Sequence, residues 1–126
     1  MKKRFGEVYW ANSQRIDKTD LKTRRQYVVT KDNGTFVGVS KIRGFNNNDK
    51  NNERLFELNI NKYPLKKRCG VDNKIYSRRS DNKKPLCLED KDVFDNNYVF
   101  KLSSHDTHNI LNHVNLDVKK KKGRKK

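Results

Sequence analysis

Apolar residues are scarce in this 126-residue chain: hydrophobic side chains make up 32% of it, against 37% charged. That composition suits one domain around one economical core. Mean hydropathy is -1.18, low enough that part of the chain is expected to be loop or tail. No apolar run is long enough to span a bilayer, and no stretch has the apolar segment of a signal peptide. A cytoplasmic protein with no membrane association through a spanning segment is the expectation. Cysteine is nearly absent. Cys69 and Cys87 stand in no CxxC pair and are expected to be reduced structural thiols, not a disulfide or a metal site. Also missing are a P-loop, HExxH, a paired-cysteine zinc pattern and a Ser-His-Asp context, so no metal and no cofactor is expected. Acids are outnumbered, 15 Asp and Glu against 31 Lys and Arg, for a net charge of +16 and a pI of about 10.0. Such a surplus favours a polyanionic partner, nucleic acid first and an anionic membrane surface second. Seven of the positive charges fall in residues 119–126, and the remainder still carries +9. The 119–126 tail is expected to be disordered, since like charges repel and nothing in it can be buried. A nucleic-acid arm, a solubility tail and an expression remnant all fit it.

Along the chain, Phe5 to Ala11 alternates, with Val8 and Trp10 on one side and Glu7, Tyr9 and Ala11 on the other. This predicts a strand, with Trp10 in the core. Asn12 to Thr23 reads as a long exposed loop. Gln26 to Val29 is aromatic and β-branched, a strand entered through Arg24 and Arg25. Lys31-Asp32-Asn33-Gly34 predicts a tight turn, because Asn and Gly tolerate positive φ. Thr35 to Ser40 is the return strand, and pairing outward from the turn carries Ser40 towards Arg24 and Arg25. Gly44 to Asn52 is an Asn-rich mobile loop. Arg54 to Ile60 reads as a strand burying Phe56, Leu58 and Ile60, and Lys62 to Leu65 as a turn. Gly70 to Tyr76 is a weak strand. Lys84 to Leu88 is at most an edge strand because of Pro85. Glu89 to Asn97 reads as an acidic loop, and Tyr98 to Leu102 as a short strand or helix lead.

Ser103 is placed to cap a helix, with Asp106 in its first turn. Ile110, Leu111 and Val114 then share one face of an amphipathic helix from Ser104 to about Asn115. His105, His108 and His113 lie in it, and solvated or capping roles suit them better than a metal site lacking a third ligand. Five to seven short strands and one C-terminal helix predict a mainly β protein. The expected fold is a small antiparallel barrel or half-barrel, one domain over residues 1–118.

What remains for chemistry is Arg, Lys, Ser, Thr and Tyr around a hairpin. These suit phosphodiester work on RNA, where the substrate's own 2′-hydroxyl is the nucleophile and arginine stabilises the developing charge. Gly6-Glu7-Val8-Tyr9-Trp10 resembles the opening strand of the MazF/PemK toxins. Arg24 to Asp32 stands where that family has an arginine, an apolar strand and a polar turn. Val39-Ser40 resembles its strand ending in a hydroxyl residue, and strands like Leu55–Leu58 and Gly70–Ile75 and a C-terminal helix follow in the family's order. The resemblance covers roughly residues 5–114. Arg25 stands where the family carries proline, and Thr19-Asp20 stands loosely for its Glu-Gln pair.

The resemblance implies an SH3-like barrel that dimerises. It implies a metal-independent, sequence-selective endoribonuclease toxin that cleaves single-stranded RNA to a 2′,3′-cyclic phosphate and a 5′-hydroxyl. A cognate antitoxin protein would be its partner. Arg24, or its neighbour Arg25, maps to the catalytic arginine, for proton transfer or phosphate-charge stabilisation. Ser40 maps to the hydroxyl that bonds the scissile phosphate. RNA binding would draw on Lys41, Arg43, Lys66, Lys67, Arg68, Arg78 and Arg79, with Tyr76 stacking a base. Two other readings of the same residues are a non-catalytic nucleic-acid-binding barrel and a protein-interaction module of a mobile element.

Overall fold

A computed structural model describes residues 4–49, 54–94 and 98–123. The chain is mainly β. Six antiparallel strands curl into a half-barrel, and a helix follows the last strand. The strands are β1 (Glu7–Asn12), β2 (Arg24–Asp32), β3 (Val37–Gly44), β4 (Leu55–Leu58), β5 (Cys69–Asp72) and β6 (Tyr98–Lys101), in the order β4-β5-β3-β2-β1-β6. Among the described residues three α-helices complete the fold: α1 (Ser13–Ile16), α2 (Lys91–Phe94) and α3 (Ser104–Gly123).

The sheet is covered on both faces, which is why Tyr27, Val28 and Val29 are all buried and the strand does not alternate. On one face Ala11, Tyr27, Val29 and Val39 pack with Ile16 of α1, Leu86, Leu88, and Val93 and Phe94 of α2. On the other, Val8, Val28, Ile42 and Val71 pack with Leu58, Tyr63, Leu102 and Ile110 of α3. A fully buried side chain of this size contributes about 1.5–3 kcal/mol, so two thin clusters do the work of one thick core.

Local chemistry explains the helix starts. Asn12 caps α1 by accepting from the Gln14 amide at 3.2 Å. Ser103 caps α3, its Oγ accepting from the Asp106 amide at 3.2 Å, as the sequence predicts. Tyr63 adds a second tie: its hydroxyl donates to Asp106 and accepts from the Ser103 amide. Gly6 has φ +85, and a Cβ there would collide with Thr107 of α3. Only glycine lets the start of β1 come this close to the helix.

Several expectations are corrected. The Asn12–Thr23 loop contains α1, and the Glu89–Asn97 stretch contains α2, whose Val93 and Phe94 are buried. Residues 95–97 lie outside the described residues. In the Gly44–Asn52 loop, Asn47–Asp49 forms a 3-10 turn, and residues 50–52 are likewise outside. Lys84–Leu88 forms no strand, only a bridge between Arg78 and Pro85. Strand β4 buries Leu58 as expected, but Leu55 is buried in place of Phe56 and Ile60, which are half-buried. Helix α3 passes Asn115 and its backbone runs to Gly123. The 119–126 tail therefore begins as helix, and residues 124–126 lie outside the described residues. Trp10 is only half-buried and belongs to neither cluster. Among the described residues, no helix is long and apolar enough to cross a membrane.

The hairpin carries the most consequential correction. Its loop is wider than a two-residue Asn-Gly turn. Asp32 pairs with Val37, and Asn33 closes the loop by accepting from the amides of Thr35 and Phe36 at 3.0 and 2.8 Å. A bulge at Thr30 then shifts the ladder, so that Val28 faces Ser40 and Tyr27 faces Lys41. A two-residue turn with no bulge would have set Ser40 against Tyr27. The net slip is one residue, and one residue exchanges the faces.

Candidate nucleic-acid interface

Along β2, Arg25 lies on the side of Tyr27 and Val29, and Arg24 on the side of Gln26 and Val28. The register thus sets Ser40 opposite Val28, on the face away from Arg25 and four residues along β2 from Arg24. Ser40 is fully buried beside Val28, and its hydroxyl shares a hydrogen bond with that of Thr30 at 3.0 Å. Arg24 is exposed and lies over the Trp10 ring, 4.6 Å from its centroid. Arg25 turns the other way and donates from Nε to Asp20 at 2.7 Å. Neither guanidinium reaches Ser40 in these interactions, and a buried hydroxyl engaged with another hydroxyl has no path to a phosphate. The expectation that the hairpin sets Ser40 beside Arg24 and Arg25 is not met.

Lys41 takes the place expected of Ser40. Its Nζ lies 2.9 Å from Asp20 Oδ2 and 3.1 Å from Asp17 Oδ2. Tyr76 donates to the same Asp17 oxygen at 3.2 Å. Two strands of one hairpin therefore bring Arg25 and Lys41 onto two carboxylates from the α1–β2 loop. Burial opposes the charge on Asp20. The bonds from Arg25, the Lys22 amide and Lys41 outweigh it and lower its pKa to about 2. Asp17 is held lower still: burial opposes its charge, but bonds from Thr19 and Lys41 overcome it. Burial also opposes the charge on Lys41, yet the two carboxylates raise its pKa. Asp17, Asp20 and Lys41 are thus held in their charged forms, and with Arg25 the cluster sets two positive groups against two negative ones. The Tyr27 hydroxyl is buried next to this cluster without a hydrogen-bond partner, and burial raises its pKa strongly.

Beside the cluster opens a cleft of roughly 440 Å³, lined by Asp17, Lys18, Thr19, Tyr76, Ser77 and Arg78 among others. Of the residues expected to bind RNA, Tyr76, Arg78 and Arg79 line it, and Lys41 adjoins it through Asp17 and Tyr76. Lys74 lies over the Tyr76 ring at 4.8 Å and Lys41 at 5.5 Å. Arg79 lines the cleft but is buried and held by Asp81 and Asp90 at 2.7 and 2.8 Å, so its guanidinium is already engaged. The rest are scattered or engaged. Arg43 lies 3.6 Å from Asp72. Arg68 pairs with Glu57 at 2.8 Å and lies over Phe45. Lys66 and Lys67 are exposed in the β4–β5 connection.

Both cysteines are free thiols. Among the described residues no three His, Cys, Asp or Glu side chains gather as a metal-ligand set. His105 and His108 bond Asn109 and Asn112 one turn on, and His113 reaches the Arg54 carbonyl. In sequence Asp20 stands, with Thr19, only as a loose counterpart of the Glu-Gln pair, and Asp17 carries no expected role. Two acids three apart, just ahead of a strand that opens with arginine, were the available signal.

The fold defines a class, a curled antiparallel half-barrel with a C-terminal helix, and the site adds a hairpin-borne cation pair beside an open cleft. Compared with protein-family models and with curated sequences, the chain matches none.

Proposed function

We propose that this protein binds single-stranded RNA and cuts it without a metal, as an endoribonuclease toxin of the MazF/PemK kind with an SH3-like barrel. The observation that carries the reading is the meeting of Arg25 and Lys41 on Asp20, at 2.7 and 2.9 Å, at the edge of the cleft. Arg25 and Lys41 would bind the scissile phosphate and offset the charge that grows on it as the 2′-oxygen attacks. The 2′-hydroxyl loses its proton to solvent as the 2′-oxygen bonds to phosphorus, since Asp17 is held too acidic to serve as the base. The bond to the 5′-oxygen breaks and solvent returns a proton to that oxygen, leaving a 2′,3′-cyclic phosphate and a 5′-hydroxyl. Ser40 has no part in this scheme. The resemblance extends the reading to a homodimer and an acidic antitoxin, which the +16 chain would attract.

The test is cleavage of a long single-stranded RNA in EDTA. Cyclic-phosphate ends are expected from the unaltered protein and from Ser40→Ala, with loss of about a hundredfold or more in Arg25→Ala and Lys41→Ala. Intact RNA with a folded protein overturns cleavage. A second reading, RNA binding without cleavage, is favoured by the cancellation of charge between Arg25, Lys41, Asp17 and Asp20. It predicts salt-dependent binding and no cyclic ends.

A further inference from the structure

At the tip of the β2–β3 hairpin a smaller pocket of roughly 200 Å³ is lined by Lys31, Phe36, Gly38, Ser77, Arg78 and Pro85, with no carboxylate in its lining. Ser77 and Arg78 also line the larger cleft. The two hollows therefore lie on either side of one short segment and share its rim.

That segment is firmly held. Val39 and Tyr76 exchange backbone hydrogen bonds at 2.9 and 2.8 Å, Leu86 donates to the Ser77 carbonyl at 2.9 Å, and Val37 donates to the Leu86 carbonyl at 3.0 Å. Gly38 lets it approach, since a Cβ there would stand 2.6 Å from Ile75 Cγ2. Arg78 is steadied by donating to the Lys83 carbonyl at 3.0 Å. Among the described residues neither Arg78 nor Lys31 forms an ion pair with a carboxylate. Phe36 remains 42% exposed at the hairpin tip, a large apolar ring left partly in water.

A flat apolar ring beside two uncompensated cations matches one nucleotide: a base for the ring and a phosphate for the cations. We infer that the hairpin-tip pocket is a second nucleotide subsite, through which single-stranded RNA leaving the larger cleft crosses Ser77 and Arg78 and stacks a base on Phe36. The inference rests on the RNA-binding reading and extends its footprint. Stacking on Phe36 is sequence-tolerant, because every base has a face to stack.

The probe is a fluorescein-labelled, mixed-sequence single-stranded RNA with 2′-O-methyl riboses, which binds but cannot be cut. Anisotropy gives its affinity for the full chain. Phe36→Ala is expected to weaken binding by about five- to a hundredfold, the range of a lost base stack. Phe36→Tyr, which keeps the ring, should bind within about twofold of the unaltered protein. Arg78→Ala should lower the slope of log affinity against log salt by about 0.7, one phosphate contact on a single strand. If the unaltered chain binds and Phe36→Ala binds equally well, the subsite is overturned and RNA binding stands. If the unaltered chain does not bind, the RNA reading itself falls and takes the subsite with it. If Phe36→Ala loses only the capture of an acidic peptide and not of RNA, the pocket is a protein-docking surface and the inference is overturned.

Discussion

Two cationic regions meet at Ser77 and Arg78, and they balance their charge in opposite ways. On the α1 side, Arg25 and Lys41 are each bound to carboxylates, and the Asp20 side chain is only 2% exposed. At the hairpin tip, Lys31 and Arg78 line a pocket without a carboxylate, next to the half-exposed Phe36. The first arrangement fixes geometry at the expense of free charge, and a phosphate entering it must displace an internal anion. The second keeps its charge available, on the same two residue types, with the Lys83 carbonyl and no carboxylate holding Arg78. A polyanion would be attracted by the second region and aligned by the first.

The sharpest way to break that contrast is to remove one acid from the compensated side. Asp20→Ala strands Arg25 and Lys41 and is expected to cost about 3 kcal/mol, measured by urea unfolding. Arg78→Ala, on the uncompensated side, should change stability by less than about 0.5 kcal/mol. Equal costs at the two positions would mean that the carboxylates do not hold the cluster together.

Acid titration probes the same difference with no substitution. The native pKa of Asp20 is about 2, below its ordinary 3.8. A depressed native value means that the unfolded chain takes up the proton first as pH falls. The stability contributed by the cluster should therefore be complete above about pH 5 and drain away as pH drops through 3.8 towards 2. Asp20→Asn should show a shallower decline over this window by denaturant unfolding. An unchanged slope would remove Asp20 from the account.

A smaller effect is expected at Ser40, which sets the scale for an uncharged buried pair. Ser40→Ala leaves the Thr30 hydroxyl without its partner and should cost about 1–2 kcal/mol. Thr30→Val with Ser40→Ala should recover much of that loss. The smallest effect belongs to Arg24→Ala, about 0.5–1 kcal/mol from loss of the cation over Trp10. Because Trp10 is the only tryptophan, its fluorescence reports this substitution directly. An unaltered emission spectrum would argue that the stacked geometry is not kept in solution.

Much of the frame was legible in the residues. The hairpin announced itself by a β-branched run on either side of Asn33-Gly34, and Ser103 with Asp106 marked the start of α3. These are local signals, and local geometry honoured them. The site was harder to read because it depends on register. Turn width and the bulge at Thr30 shift the ladder by two residues one way and one the other, and only their sum decides which face Ser40 occupies. Neither leaves a distinct mark in sequence. The ion pairs of Asp17 and Asp20 were hidden for a related reason: their partners, Arg25 and Lys41, lie on different strands, and Lys41 finds them only once the sheet is registered. The short helices α1 and α2 were missed because four residues carry too little periodicity to stand out.

The pairing of β1 has a consequence for how the molecule is made. One edge of β1 meets β2 early in the chain, but its other edge waits for β6, which is translated after most of the described residues. Leu102 then donates to the Gly6 carbonyl, joining the two at the mouth of α3. A nascent chain thus carries the second edge of β1 open through most of its synthesis, until β6 arrives to cover it.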